Sequence, residues 1–420
     1  MDWCKPVKIL VAGGGTGEKT VQLAQQMFDS HSSSNWRITH LDLSQTSIDI
    51  AKARAIDIWG SEAVQNHLKF VQGSLLNVVD LLPYEEFDYI DCLGVLHTLH
   101  NPAHGLSMLK RVLKTNGGIG IMVYAPLGRA GIYNMQNMIN MIKDSSSTQY
   151  NINLTKRLLK NLPQSNPLRT DQWKWKSLMN TITNTTGISG LVDLFLPGHD
   201  IPMSVNDIYS MVHHAELHFN SFVHPALYQV KSFVHDKVLV QNIKQRLATR
   251  RQEEAFVEML SGNHYQHFFY VTNNPEHTEF SWREHLNYRP IPCRFDGKLL
   301  GLALRNLTYF PWKSNNLDLF FRLPTSMYDE SDAVQRVLKH IDGKNTIHEI
   351  KKLSQLKIED FDHLFGEMFD ILNSQGKLYL SKYPVVMAEN FSDIEMMLRQ
   401  AVYPNMPRNG YHHYDCERIL

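Results

Sequence analysis

The chain has 420 residues, 43% of them hydrophobic; it can bury a sizeable core and is too long for one ordinary domain, so two are expected. Its 42 Lys and Arg balance 42 Asp and Glu, which speaks against a global field drawing it to nucleic acid or a membrane. Four scattered cysteines with no C-x-x-C pair argue against a disulfide framework or a cysteine zinc site; the first residues, MDWCKPVKIL, lack the apolar stretch of a signal segment and no apolar run reaches the about 18 residues of a membrane span, so a cytoplasmic protein is expected.

The first element is an apolar strand, Ile9-Leu10-Val11-Ala12, followed by Gly13, Gly14, Gly15 and Gly17, then by Val21, Ala24, Met27 and Phe28 at helical spacing. A strand, a glycine turn and a helix together aim backbone N–H groups and a positive helix end at a ligand. Glu18 separates Gly17 from Lys19-Thr20, which breaks a phosphate P-loop. Neither glycine register places a third glycine or alanine where a dinucleotide fingerprint needs it. The tight Gly13-x-Gly15-x-Gly17 spacing leaves either a loop approached by an amino-acid moiety and a ribose or a glycine-rich turn with no ligand, and the rest of the chain decides between them.

Further strands are expected over residues 36–44, 68–78, 87–99 and 117–126, with helical patterns between them. The pattern in "PAHGLSMLKRVLK" puts Leu106, Leu109 and Leu113 on one face and Lys114 near a helix C-terminus. Alternation of this kind implies a parallel sheet covered on both sides, with ligands beyond the carboxyl ends of the strands. The glycine turn, Asp42 with Leu43, Gly73-Ser74-Leu75 and Gly94 to His97 all fall at those ends. Asp42, an acceptor-only carboxylate, can take both ribose hydroxyls. Ser74 and Leu75 can border an adenine, Ser74 otherwise being an ordinary turn serine.

The order A-G-x-G-T-G, L-D-L-S, F-x-x-G-S-L-L, G-V-L-H-T-L-x-x-P and L-K-x-x-G-G resembles class I S-adenosylmethionine-dependent methyltransferases, nearest to a bacterial branch with G-V-L-H and Y-A-P-x-G-R motifs. The resemblance is strong over residues 7–130 and continues weakly to about 275. It implies an α/β fold: a Rossmann-like, doubly wound, seven-stranded, mostly parallel sheet. It implies S-adenosylmethionine as cofactor, with Gly13, Gly15, Gly17 and Asp42 on it, Leu43 beside Asp42, Gly73, Ser74 and Leu75 near the adenine, and Gly94 and Val95 beside the methionine part. Val11 stands where many members carry an acid on the first strand, and Ser74 where many carry aspartate.

A helical insert is expected over about 127–204, capping the acceptor pocket within a first domain of residues 1–275. The methionines of its first helix read as packing material. Between 151 and 176 six basic residues (Lys156, Arg157, Lys160, Arg169, Lys174, Lys176) accompany Trp173 and Trp175, which can serve single-stranded RNA but read more simply as a solvated helix with a buried aromatic. The region 276–420 begins irregularly to about 330. Three helical patterns and a strand then form a smaller, mainly helical, winged-helix-like module at about 330–382. Seven Lys and Arg against eight Asp and Glu over residues 332–381 favour a protein or self-association role over DNA.

His97, His100 and His104 do not read as a metal site, because Pro102 interrupts the helix that would align them. His97, at the mouth of the cofactor pocket, and Tyr124 are the candidate catalytic residues; Arg129 and Tyr133 are candidate acceptor contacts. Positioning rather than a strong base is expected. The acceptor is expected to be a small molecule or a protein side chain, RNA and a non-catalytic regulatory role being the alternatives.

Overall fold

The computed structural model describes residues 6–29, 35–83, 86–144, 146–170, 187–234, 236–275, 281–292, 300, 331–374 and 378–381. Strands β1 (Val7–Ala12), β2 (Trp36–Asp42), β3 (Leu68–Gln72), β4 (Phe87–Leu93), β5 (Leu113–Tyr124), β6 (His218–Phe222) and β7 (Gln266–Thr272) form one sheet in the order β3-β2-β1-β4-β5-β7-β6. β1 pairs in parallel with both β2 and β4, so the strand order reverses there; β7 is antiparallel to β5 and β6. β1 is apolar almost throughout because helices cover both of its faces. One face carries Leu10, Leu41, Ile90 and Cys92 with Leu106 and Leu109; the other carries Ile9, Val11 and Ile38 with Ala24 and Ala55.

Helices α1 (Glu18–Asp29), α2 (Gln45–His67), α3 (Val78–Leu81) and α4 (Pro102–Lys110) connect the parallel strands. The third strand stops at Gln72, not 78, because the Ser74 hydroxyl accepts the Leu76 N–H and starts a 3-10 turn at Leu75–Asn77. The fourth stops at Leu93, not 99, because Gly94 takes φ +79 and a second 3-10 turn, Leu96–Thr98, follows. α4 ends at Lys110, so Leu113 and Lys114 belong to β5 and Lys114 is not at a helix end. Leu113 pairs with Phe87, the register slips before Gly118 meets Tyr89, and Lys114 reaches Asp88 at 2.7 Å.

The insert contains α5 (Ala130–Ile142), α6 (Thr148–Asn161), α7 (Pro167–Thr170) and α8 (Gly187–Phe195). It has its own apolar cluster, in which Met135 and Ile139 meet Ile152, Leu159, Leu191 and Phe195. Arg157 and Lys160 lie on the solvent face of α6, as a solvated helix requires; Asp171, Trp173, Lys174, Trp175 and Lys176 lie outside the described residues. The chain returns to the sheet over residues 201–205. There the Ile201 N–H donates to the His97 carbonyl (2.9 Å), the Met203 N–H to the Tyr124 carbonyl (2.9 Å) and the Val205 N–H to the Glu258 carboxylate (2.9 Å). α9 (Val205–His214) opens with a capping box of Ser204 and Asp207; α10 (Lys237–Arg246) and α11 (Arg250–Ser261) precede β7.

Trp282 opens a 3-10 turn and β8 (Arg289–Pro292) follows, where irregular sequence was expected. β8 pairs antiparallel with β9 (Leu378–Ser381), beyond α12 (Ser331–Leu338), α13 (Ile347–Ser354) and α14 (Ile358–Ser374). Phe361, Leu364, Phe365, Met368 and Leu372 of α14 join Trp282, Val334 and Leu378 in a separate apolar cluster. Pro290 and Pro292 hid β8, since proline cannot donate to a strand ladder and is confined to edge strands, strand starts and bulges. Among the described residues no helix is long and apolar enough to cross a membrane.

Candidate cofactor and acceptor site

The glycine turn lies at the carboxyl ends of β1 and β4, where the sheet order reverses. Gly13, Gly15 and Gly17 take φ of +75, +53 and +88, in the left-handed region that side chains disfavour. At Gly13 a Cβ would overlap the Val95 side chain, and at Gly17 it would lie 2.6 Å from the Ala51 Cβ. The turn is therefore built for close approach on both sides. The Gly13 and Gly14 N–H groups donate to the Leu41 carbonyl at 2.8 and 3.1 Å, which ties the turn to β2. Anion-binding capacity rests on the first turn of α1, whose leading amides have no intrahelical partner.

Asp42 holds the turn in shape. Its Oδ2 accepts the Gly15 N–H at 2.7 Å and its Oδ1 the Ser44 N–H at 2.9 Å. A carboxylate has about four acceptor directions, so each oxygen retains one for a hydroxyl. Leu43 beside it is 72% exposed. Gly73 donates its N–H to the Asp42 carbonyl, Ser74 caps its 3-10 turn, and the Leu75 side chain packs into the core.

The second group of expected residues converges beneath the insert. The ring of His97 lies 4.4 Å from that of Tyr124, and the Arg129 guanidinium stacks on Tyr124 at 3.5 Å. Arg129 faces Asp200 at 3.8 Å, and the Tyr133 hydroxyl donates to Asp200 at 3.4 Å. His97 is 2% exposed, which places it under the rim and not at the pocket mouth. Burial lowers its pKa to about 4, against the opposing pull of Asp200, so the imidazole is neutral at physiological pH. Burial also raises the Tyr124 and Tyr133 hydroxyls, which stay protonated. His97 Nδ1 and Arg129 Nε are buried with no hydrogen-bond partner among the described residues. His100, exposed at the edge, stacks against His199 at 4.3 Å. No cluster that could hold a metal occurs among the described residues.

Three polar residues join the site without having been singled out in the sequence. Asp200 reaches the cluster from a loop that the insert folds back. His40 of β2 lies under the glycine turn against Gly14, its Nδ1 2.8 Å from the Thr20 hydroxyl. Asp91 of β4 lines a cavity of about 490 Å³ together with Val11, Gly13, Gly14, Gly15, Lys19, Leu93 and Asp193. Asp91 sits in a run of three consecutive buried residues of β4, so no alternation along the strand marked it.

The glycine turn, a carboxylate at the end of the second strand and the switch-point cavity define a site for an adenosine-bearing cofactor on a doubly wound sheet. Residues 10–121 match the family model described as methyltransferase domain. A protein of Synechococcus sp., the uncharacterized protein syc1184_c, is 24% identical over 368 residues, covering 87% of this chain and 81% of its own. The structure of PKMT2 from Rickettsia typhi, solved also in complex with AdoHcy, matches 89% of this chain and 71% of its own with a TM-score of 0.59 and 16% identity, a likeness of fold. Residues 10–121 thus carry a methyltransferase domain, on a fold shared with a structure solved with AdoHcy. The residues present suit that group: the turn allows the close approach, and Asp42 keeps free acceptor directions.

Proposed function

We propose that this protein transfers a methyl group to a small molecule or a protein side chain held between the strand ends and the insert of residues 127–204. One observation carries the reading. The cluster of buried His97 and Arg129 with half-buried Tyr124 and Asp200 lies at the same rim as the glycine turn, joined to it through Val95 and the turn that follows. The bound cofactor supplies a sulfonium-activated methyl group, so the chain's task is alignment and exclusion of water. Gly13, Gly15, Gly17 and Asp42 hold the cofactor, with Leu43, Gly73, Ser74 and Leu75 around the adenine and Gly94 and Val95 beside the methionine part. Arg129 and Tyr133 contact the acceptor. Tyr124 presents a protonated hydroxyl and His97 a neutral ring; neither is a strong base, which favours an acceptor already nucleophilic when bound.

Transfer of label from tritiated S-adenosylmethionine into a lysate, split into protein, small-molecule and nucleic-acid fractions, tests this. Label in either of the first two supports it. Label released by ribonuclease would overturn it in favour of RNA. Binding of S-adenosylhomocysteine without labelling of any fraction would overturn it in favour of a regulatory role.

A further inference from the structure

The register of the sheet sets one row of residues beneath the cofactor cavity. His40 of β2 is level with Val11 of β1, Val11 with Asp91 of β4, and Asp91 with Gly120 of β5. Residues level with one another in parallel strands point to one face, here the face that α1 covers. Val11 is buried and apolar, so the first strand offers no charge to the cavity. Asp91 is one strand away, only 5% exposed, and lines the cavity beside Gly13, Gly14 and Gly15. Gly120, having no side chain, leaves room for the Tyr89 hydroxyl, which hydrogen-bonds to Asp91. A buried carboxylate is expensive unless a cation or several donors meet it. The groups that face it are Lys19 from the first turn of α1 and Tyr89 from its own strand; Glu18 and Asp193 line the same cavity and add no cation.

The cavity thus offers two opposite polarities. The first turn of α1 favours an anion, and Asp91, a few residues' width away across β1, favours a cation. An α-amino acid end, with carboxylate and ammonium on one carbon, matches that pair. We infer that Asp91 holds the α-ammonium group of the cofactor's methionine end, taking the place of an acid that β1 lacks at Val11. The inference rests on S-adenosylmethionine being the cofactor and concerns which residue reads its charge.

Calorimetry on the full chain tests it, with S-adenosylhomocysteine and its desamino analogue, which keeps the carboxylate and lacks the ammonium. The wild-type chain is expected to bind S-adenosylhomocysteine about tenfold or more tightly than the analogue, the worth of one charge-assisted bond. Asp91→Asn should remove that preference, weakening S-adenosylhomocysteine about tenfold while holding the analogue within about threefold. Equal affinity of the wild-type chain for both compounds overturns the inference whether or not the variant folds. So does an Asp91→Asn chain that binds both as wild type does, or that loses both equally. Failure of the wild-type chain to bind either compound strikes the cofactor reading instead.

Discussion

Asp91→Asn should stabilise the cofactor-free chain near neutral pH. Burial raises the Asp91 carboxyl from an ordinary 3.8 to about 6, with Lys19 and the Tyr89 hydroxyl opposing the shift. The folded chain therefore binds this proton more tightly than the unfolded one. Stability from the group is complete below the unfolded value and is lost as pH rises through the folded value. Roughly 2 pKa units at about 1.4 kcal/mol each set a ceiling of about 3 kcal/mol above both values. Asparagine keeps the shape, can accept the Tyr89 hydroxyl and carries no charge. The variant should gain about 1–3 kcal/mol at about pH 7.5, and the gain should shrink to about 1 kcal/mol or less at about pH 4.5, where the wild-type carboxyl is mostly protonated in the fold. His97, lowered to about 4, contributes stability that is lost as pH falls through the same region, but both chains share it and it cancels in the difference. Urea denaturation of both chains at the two pH values measures the gap. A variant less stable at the higher pH, or a gain that does not change with pH, would show that Asp91 is not a strained charge in the free protein.

Asp42→Ala should weaken S-adenosylhomocysteine by about 1.5–3 kcal/mol in calorimetry, through loss of charge-assisted hydroxyl bonds and of the Gly15 anchor; unchanged affinity places the ribose elsewhere. A chain ending at residue 275 keeps every strand of the large sheet, whereas one ending near 330 strands β8 without β9. The shorter chain should retain cofactor affinity by calorimetry, and its loss with circular dichroism intact would mean that the C-terminal region reaches the pocket.

The glycine turn and Asp42 were legible because their chemistry is local. Spacing alone separates Gly13-x-Gly15-x-Gly17 from a phosphate loop, and a strand end marks Asp42. Asp91 was not legible in this way. It sits in "FDYIDCLG", which reads as a buried strand, and its level with Val11 follows from a sheet order that places β4 beside β1 across some eighty residues of chain. Asp200 was hidden for a related reason, since only the folded insert turns a loop aspartate inward onto Arg129. The depth of His97 depended on the return of the chain at Ile201, a contact about a hundred residues away that no periodicity encodes. Element ends shifted where a side chain or a glycine overruled propensity, as Ser74 and Gly94 did.

The insert leaves and re-enters the sheet at nearly the same place. Ala125 and Gly128 are bonded to Tyr265 and His264 on the way out, and Met203 returns to the Tyr124 carbonyl on the way back. The two stems are thus a closed base, and what lies between them is a loop whose ends the sheet has already brought together. The entropy of such a loop grows only with the logarithm of its length, about 0.6 kcal/mol per doubling. Lengthening, shortening or exchanging the helices between residues 130 and 170 therefore costs the sheet little, whereas the last helix of the insert brings Asp193 to the strand-end cavity and ties that segment to it.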